Sequence, residues 1–295
     1  MELEIKDLKK SFDKKLIFEN ISMELKSGEI VGLVGRNGSG KTTLMQIIVT
    51  VLKQDSGDIY LNGVKLRDNF LELKNIIYIP DKFDYFKNYN ILKIIDFYKY
   101  FYKDLDEEFC LKNIEDLGLD SKTNLGSLSK GQLTIVGTIL GISTRAKFIL
   151  IDEPYDGVDV INAKKMDELI VDAISEGRTV MISSHELSKL ERFCDKIYLL
   201  KKNNADLFVT DDRKEIKKYQ LVVNDKLNEI MASDENILIQ NVLGRVYTIL
   251  YKGNEEDFLK LASKNNIVQF DKLKTTIEDI MIWNNEKENR DERLS

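Results

Sequence analysis

At 295 residues, 43% of them apolar and 32% charged, the chain can bury a large core and has room for one large domain and one small one. Its formal net charge of −6 offers no overall basic surface to nucleic acid. Cys110 and Cys194 are too far apart for a metal-ligand motif or a disulfide framework and read as reduced thiols.

The opening MELEIKDLKK is charged and alternating, unlike a secretion signal, and reads as an edge strand. Alternation of Leu3, Ile5, Leu8, Leu16, Phe18, Ile21, Met23 and Leu25 predicts antiparallel strands. Ile30–Val34 is a continuous apolar run, the pattern of a strand buried on both faces. It feeds the stretch Gly35, Arg36, Asn37, Gly38, Ser39, Gly40, Lys41, Thr42 and Thr43, after which Leu44 to Val51 has a helical pattern. A strand with an Asn-Gly turn follows at Gly57–Gly63, then a short strand at Ile76–Ile79. Residues 90–116 predict a helix with Ile94, Phe97, Phe101 and Leu105 on one face. Ten aromatic residues fall between Phe83 and Phe109. They are either the core of a helical subdomain or a docking surface for an apolar partner helix, and periodicity alone does not separate the two.

After Gly126, strands alternate with helices: a helix over 130–142, a strand over 148–151, a helix over 162–174, and strands over 179–183 and 196–200. That rhythm predicts a parallel, helix-covered sheet, which binds ligands at the carboxyl ends of its strands. The longest apolar stretch, Leu133 to Ile142, falls far short of the ~20 residues that cross a bilayer, so any membrane role requires a partner. Past residue 210 the rhythm becomes β-α-β-β-α-β-α. Strands are expected at Tyr219–Val223, Asn236–Gln240, Val246–Tyr251 and Ile267–Phe270, with helices at Glu255–Ser263 and Ile277–Trp283. A capping box of Thr275 and Glu278 would open the last helix, and the charged tail from Asn284 is expected to fray.

The glycines of the 35–43 stretch let the backbone turn its N–H groups toward phosphate oxygens, and the following helix adds the positive end of its dipole. Lys41 would reach the β- and γ-phosphates, and the Thr42 hydroxyl would join the shell of a Mg²⁺ ion. Phe148–Ile151 then delivers two adjacent carboxylates: Asp152 for the cation and Glu153 to orient and deprotonate a water. His185, the single histidine, follows the strand ending at Ser184 and would donate a hydrogen bond to the γ-phosphate. Ser129 can cap the helix opened by Leu128-Ser129-Lys130-Gly131-Gln132, leaving an N-terminus suited to an anion.

Together these residues resemble the ATP-binding cassette (ABC) family of ATPases. Gly35–Thr43 is similar to its Walker A loop, residues 128–132 to its signature sequence, and Phe148–Glu153 to its Walker B strand with the glutamate. Asp156-Gly157-Val158-Asp159 is similar to its D-loop, His185 to its switch histidine, and Phe12 to the aromatic that stacks on adenine. The likeness covers about residues 1–205 and rests on five motifs in order. It implies an α/β P-loop NTPase of ABC type, with a parallel-sheet core, an antiparallel β subdomain and a helical subdomain over about 82–145. This nucleotide-binding domain would occupy 1–210, with a small α+β accessory domain over 211–295. The implied ligands are ATP and Mg²⁺. Phe12, the residues of the 35–43 loop, Ser129, Gly131, Gln132 and Asp159 would hold the nucleotide, and Thr42, Asp152 and Asp81 the metal. Lys41, Glu153 and His185 would serve catalysis. Two such domains would face head to tail, as a homodimer or with a related chain, each ATP lying between one chain's Walker A loop and the other's signature. A separate transmembrane permease would hold the pair on the cytoplasmic face of the cell membrane.

The chain departs from the family pattern in three places. Asp81 stands for a glutamine, which adds negative charge beside ATP; Lys130 stands for a glycine; and the helix from Leu133 lacks the basic residues common there. The segment past residue 210, ending in Thr276-Ile277-Glu278-Asp279-Ile280, is similar to the C-terminal domain of bacterial drug and antimicrobial-peptide exporter ATPases. The expected function is therefore the ATP-hydrolysing subunit of an exporter. The alternative is a low-turnover, nucleotide-responsive regulator, which Asp81 keeps open. A soluble ABC protein of ribosomes or DNA fits poorly with one cassette, no sustained heptads and an acidic balance.

Overall fold

The computed structural model describes the chain apart from residues 83–85, 202–203, 210–214, 225–226, 228–233, 264–266, 284–285 and 287–295, and gives only the backbone of 208–209. The chain divides into two compact units, Met1–Leu207 and Phe208–Ser295.

The first unit opens with two long antiparallel strands, β1 (Glu2–Phe12) and β2 (Lys15–Lys26). Their alternation sends Leu3, Ile5, Phe18, Ile21, Met23 and Leu25 inward. Then come β3 (Ile30–Val34), helix α1 (Lys41–Ile48), β4 (Ser56–Leu61), β5 (Val64–Lys65) and β6 (Ile76–Ile79). Asn62 and Gly63, both at positive φ, make the tight turn between β4 and β5. Helices α2 (Ile91–Phe101), α3 (Glu107–Asp116) and α4 (Lys130–Ser143) follow. The chain continues through β7 (Phe148–Ile151), α5 (Val160–Ser175), β8 (Thr179–Ser184), α6 (Leu187–Leu190), β9 (Lys196–Leu200) and β10 (Ala205–Val209).

One sheet has the order β2-β1-β4-β5 and the other β10-β9-β3-β8-β7-β6. Within the second, β9, β3, β8, β7 and β6 pair in parallel. Every residue of β3 and β7 is buried, as expected of strands covered on both faces. The parallel register brings Val34 beside Ser184, and Ile151 beside both Ile79 and Ile182. The loops after β3, β6, β7 and β8 therefore emerge at one edge, which is where a site can be assembled.

The single helix expected over 90–116 is two. Asp106 accepts a hydrogen bond from the Phe109 N–H at 2.8 Å and caps a fresh helix, with Glu107 and Glu108 in the first turn to match the dipole. The expected apolar face is also rotated. Ile91, Ile94 and Ile95 are buried, while Phe97 and Phe101 are 50% and 57% exposed.

The second unit contains β11 (Ile216–Val223), β12 (Ile237–Leu243), β13 (Val246–Lys252), α7 (Glu255–Ser263), β14 (Ile267–Leu273) and α8 over 277–283. Its antiparallel sheet has the order β12-β13-β11-β14. Tyr219 on β11 stacks on Phe258 of α7 with ring centroids 3.8 Å apart, and Tyr251 and Phe270 pack around Phe258. The capping box of α8 lies one residue later than expected. Thr276 and Asp279 exchange the two bonds, because the Thr275 hydroxyl donates to Ile216 O and is drawn to the sheet. The helix that the rhythm places between Val223 and Asn236 lies outside the described residues, as does nearly all of the tail from Asn284. No helix among the described residues is long and apolar enough to cross a membrane.

Candidate active site

The loop between β3 and α1 bends where glycine permits it. Gly38 and Gly40 have φ of 80° and 101°, and a Cβ on Gly40 would lie 2.7 Å from Ile17 and 2.8 Å from Phe18. No side chain caps α1, so the N–H groups of its first turn are left for a ligand. The Ser39 hydroxyl oxygen is buried and has no hydrogen-bond partner among the described residues, a second polar group left for an incoming anion. Lys41 is 6% exposed; its ammonium donates to Gly35 O at 2.7 Å and pairs with Glu153 Oε1 at 3.2 Å.

Asp152 closes β7 and is almost sealed from solvent at 2% exposure. A carboxylate there requires donors, and three hydroxyls supply them. Thr42 donates to Oδ2 at 2.6 Å, Tyr78 to the same oxygen at 3.1 Å, and Ser183 to Oδ1 at 2.5 Å. Burial, and then the Asp152 charge, push the Tyr78 ionisation well above its ordinary value, so Tyr78 is held as a donor. A carboxylate and a hydroxyl side by side are a hard oxygen pair of the kind Mg²⁺ takes together with phosphate oxygens and waters. Among the described residues no cluster of three or more His, Cys, Asp or Glu could hold a metal alone.

Glu153 has φ 48°, a left-handed conformation that costs a side-chain-bearing residue free energy. Its N–H donates to Ser183 Oγ at 2.9 Å, which fixes the turn. Its Oε2 accepts from His185 Nδ1 at 2.9 Å and from the His185 backbone at 3.3 Å. Lys41, Thr42, Asp152, Glu153 and His185 are thus gathered at one sheet edge.

The remaining residues are placed as follows. Ser129 and Gln132 form a capping box on α4, with Gln132 N–H to Ser129 Oγ at 3.2 Å and Ser129 N–H to Gln132 Oε1 at 3.0 Å. Gly131 lies against the 156–158 turn, where a Cβ would stand 3.2 Å from Gly157 O. Asp159 caps α5, accepting from the N–H groups of Ile161 and Asn162 at 3.0 Å, and the Asn162 bond holds its carboxyl below the ordinary range. Phe12 is 41% exposed at the end of β1, with the Lys10 ammonium 4.7 Å above its ring. Arg36 and Asn37 are exposed, and Thr43 is half-buried. Asp81 pairs with Lys130 at 3.1 Å. Lys130 also meets Asp156 at 2.5 Å. The Asp156 bond raises the Lys130 ionisation, and the same bond lowers that of Asp156. Sequence reasoning missed Tyr78 and Ser183. Their signals are a phenol inside an apolar strand and a buried hydroxyl at a strand end.

A glycine loop from a parallel strand into an uncapped helix, with that helix's threonine bonded to a strand-end carboxylate, defines a P-loop nucleoside triphosphatase. The chain belongs to the ATP-binding proteins of ABC transporters. The family model described as "ABC transporter" matches residues 18–156. The lantibiotic transport ATP-binding protein SrtF of Streptococcus pyogenes is 31% identical over 198 residues, which cover 66% of this chain and 85% of that protein. The ABC transporter ATP-binding protein YtrB of Bacillus subtilis is 28% identical over 283 residues, 95% of this chain and 97% of the relative. An ABC transporter ATP-binding protein of Pyrococcus furiosus shares the fold with a TM-score of 0.58 and 29% identity, over 68% of this chain and 98% of that one. The fold is thus the α/β ABC ATPase fold, and the activity is ATP hydrolysis coupled to transport.

Proposed function

We propose that residues 1–210 form a nucleotide-binding domain that closes on a second copy around Mg·ATP and drives a separate membrane permease in the export direction. Residues 211–295 form its accessory domain. The observation that carries this reading is the Lys41–Glu153–His185 cluster beside the Thr42–Asp152 pair. Phosphate oxygens entering the loop compete with Gly35 O and Glu153 for the Lys41 ammonium. Once Lys41 turns to them, the Glu153 carboxylate is free to orient and deprotonate the attacking water, and His185 donates to the γ-phosphate. Thr42 and Asp152 would hold Mg²⁺, which offsets the charge of the phosphate oxygens when bound. ATP does work on the partner only through its different affinity for the closed and open pairs.

Several surfaces support the partners. Ser129 and Gly131 sit in the capped first turn of α4, which would meet the ATP of the second copy, while Asp81 would join Thr42 and Asp152 beside the chain's own nucleotide. Val160 and Ile161, next to Asp159, are 86% and 82% exposed, an apolar pair that a second copy would cover. Phe97 contacts Phe86 and Phe101 at centroid distances of 5.6 and 5.2 Å, and Tyr89, Tyr100 and Phe101 are exposed. This aromatic patch fits an apolar segment of a permease on the cytoplasmic face of the membrane. The coupling surface would lie around Asp81 to Tyr89, of which 83–85 lie outside the described residues. Export is favoured by the likeness of the segment past residue 210 to the C-terminal domain of exporter ATPases, and the YtrB match, over 95% of this chain, runs through that segment.

Replacing Glu153 by Gln tests the site. ATP binding should persist while turnover falls by ~10²–10⁴ through loss of the base. Unchanged turnover would remove Glu153 from that role.

A further inference from the structure

Asp81 and Lys130, two of the three departures from the family pattern, are in contact. Lys130 Nζ lies 3.1 Å from Asp81 Oδ1 and 2.5 Å from Asp156 Oδ2, so one ammonium meets carboxylates from the loop after β6 and from the turn before α5. Asp81 Oδ1 is buried, and the Lys130 ammonium 3.1 Å away offsets its charge. The stem of Lys130 lies over Gly157, where a Cβ would come within 3.4 Å of its Cδ, and Gly131 packs on the carbonyl of the same glycine. The first turn of α4 is therefore tied to the 156–158 turn of its own chain by packing and by charge.

Asp81 also bears on the nucleotide side. β6 pairs with β7 so that Ile79 stands beside Ile151, and the Asp152 N–H donates to Ile79 O at 2.9 Å, so the loop that carries Asp81 emerges at the same sheet edge as Asp152. An Asp81 left without its cation would add a negative charge close to the place proposed for Mg·ATP.

We propose that Lys130 is a positioning residue for ATP turnover: it joins Asp81, Asp156 and the Ser129–Gly131 turn into one cluster and offsets the charge Asp81 directs at the bound triphosphate. The proposal rests on the nucleotide site described above, which Lys41→Ala tests separately.

The test is a double-mutant cycle on the full chain with Lys130→Gln, Asp81→Gln and the pair, reading ATP affinity by calorimetry with Mg²⁺ and with EDTA, and kcat and KM for Mg·ATP. Lys130→Gln should weaken ATP binding about fivefold when Asp81 is present and less than twofold when residue 81 is Gln, as for the loss of an ion pair in a small network. Because the three side chains are 29–51% exposed, this coupling should shrink between ~50 mM and ~500 mM salt. Lys130→Arg should restore most of the affinity, and equal melting temperatures across the set exclude misfolding as the cause. Equal effects of Lys130→Gln in both backgrounds, or tighter binding on its loss, would overturn the proposal. If Lys41→Ala still abolishes binding in that case, the nucleotide site stands and only the cluster's role is lost.

Discussion

Lys41 is a buried ammonium whose partners here are a neutral carbonyl and one carboxylate, fewer than a buried cation can use. A triphosphate would supply what is missing, so the residue should decide binding before it decides chemistry. Lys41→Ala is expected to reduce ATP binding below detection by calorimetry, and tight retention would count against the loop as the phosphate site. His185 should behave differently, since its Nδ1 already bonds to Glu153 and orients that side chain. His185→Ala should lower turnover about 10–100-fold, the loss of one hydrogen bond to a charged group, while changing ATP affinity less. An affinity loss as large as the loss of turnover would make His185 a binding residue. Glu153, in the left-handed region, is held by the Ser183 hydroxyl below it, so Ser183→Ala should loosen both carboxylates at once.

At the scale of elements, the strands and helices that a reader can find in the sequence are those with long, clean periodicity. β3, β6 and β7 are continuous apolar runs and stand where the pattern puts them. The site loops were legible for a related reason, because glycines, paired carboxylates and the lone histidine mark the ends of buried strands. The break between α2 and α3 was hidden by aromatic residues that continue the helical period, and only the Asp106-Glu107-Glu108 cap signal betrays it. Tyr78 and Ser183 gave weaker signals for another reason: the carboxylate each hydroxyl serves is distant in sequence, so only a polar group in an apolar strand marks them. The Thr276 cap moved by one residue because a tertiary bond claims Thr275. Asp279, the other half of that cap, is 1% exposed. Burial alone would raise its pKa, yet Lys218 at 2.8 Å, the Thr276 N–H at 2.8 Å and Gln240 at 2.7 Å together hold it below the ordinary 3.8. A depressed folded value stabilises the fold fully above the unfolded pKa, and that stabilisation is lost as pH falls through the lower folded value. The single tryptophan, Trp283, is buried on α8 and reports on the second unit. Urea unfolding followed by its emission should show a stability loss below pH ~4 that Asp279→Asn removes, at a cost of about 2–3 kcal/mol at pH 7. An unchanged acid profile in the variant would assign the loss to other carboxylates.

At the scale of the whole molecule, the first unit carries the phosphate loop and the turn proposed to meet a second copy's ATP, two unlike surfaces on a single chain. Two copies related by a twofold axis can satisfy both at once, because an isologous contact uses each surface twice and closes without further growth. The phosphate charge would make such closure depend on nucleotide, and hydrolysis would undo it. Glu153→Gln, by holding ATP unspent, should therefore move from the monomer to twice its mass in light scattering when saturating Mg·ATP is added. Adding Ser129→Arg to that variant should keep it monomeric with ATP binding intact, since the bulky cation occupies the turn that would meet the second copy. Asp residues at 160 and 161 should weaken pairing as well, by placing charge where Val160 and Ile161 stand exposed. Glu153→Gln remaining monomeric at saturating Mg·ATP, alone and beside its permease, would mean that each copy works its ATP without the other.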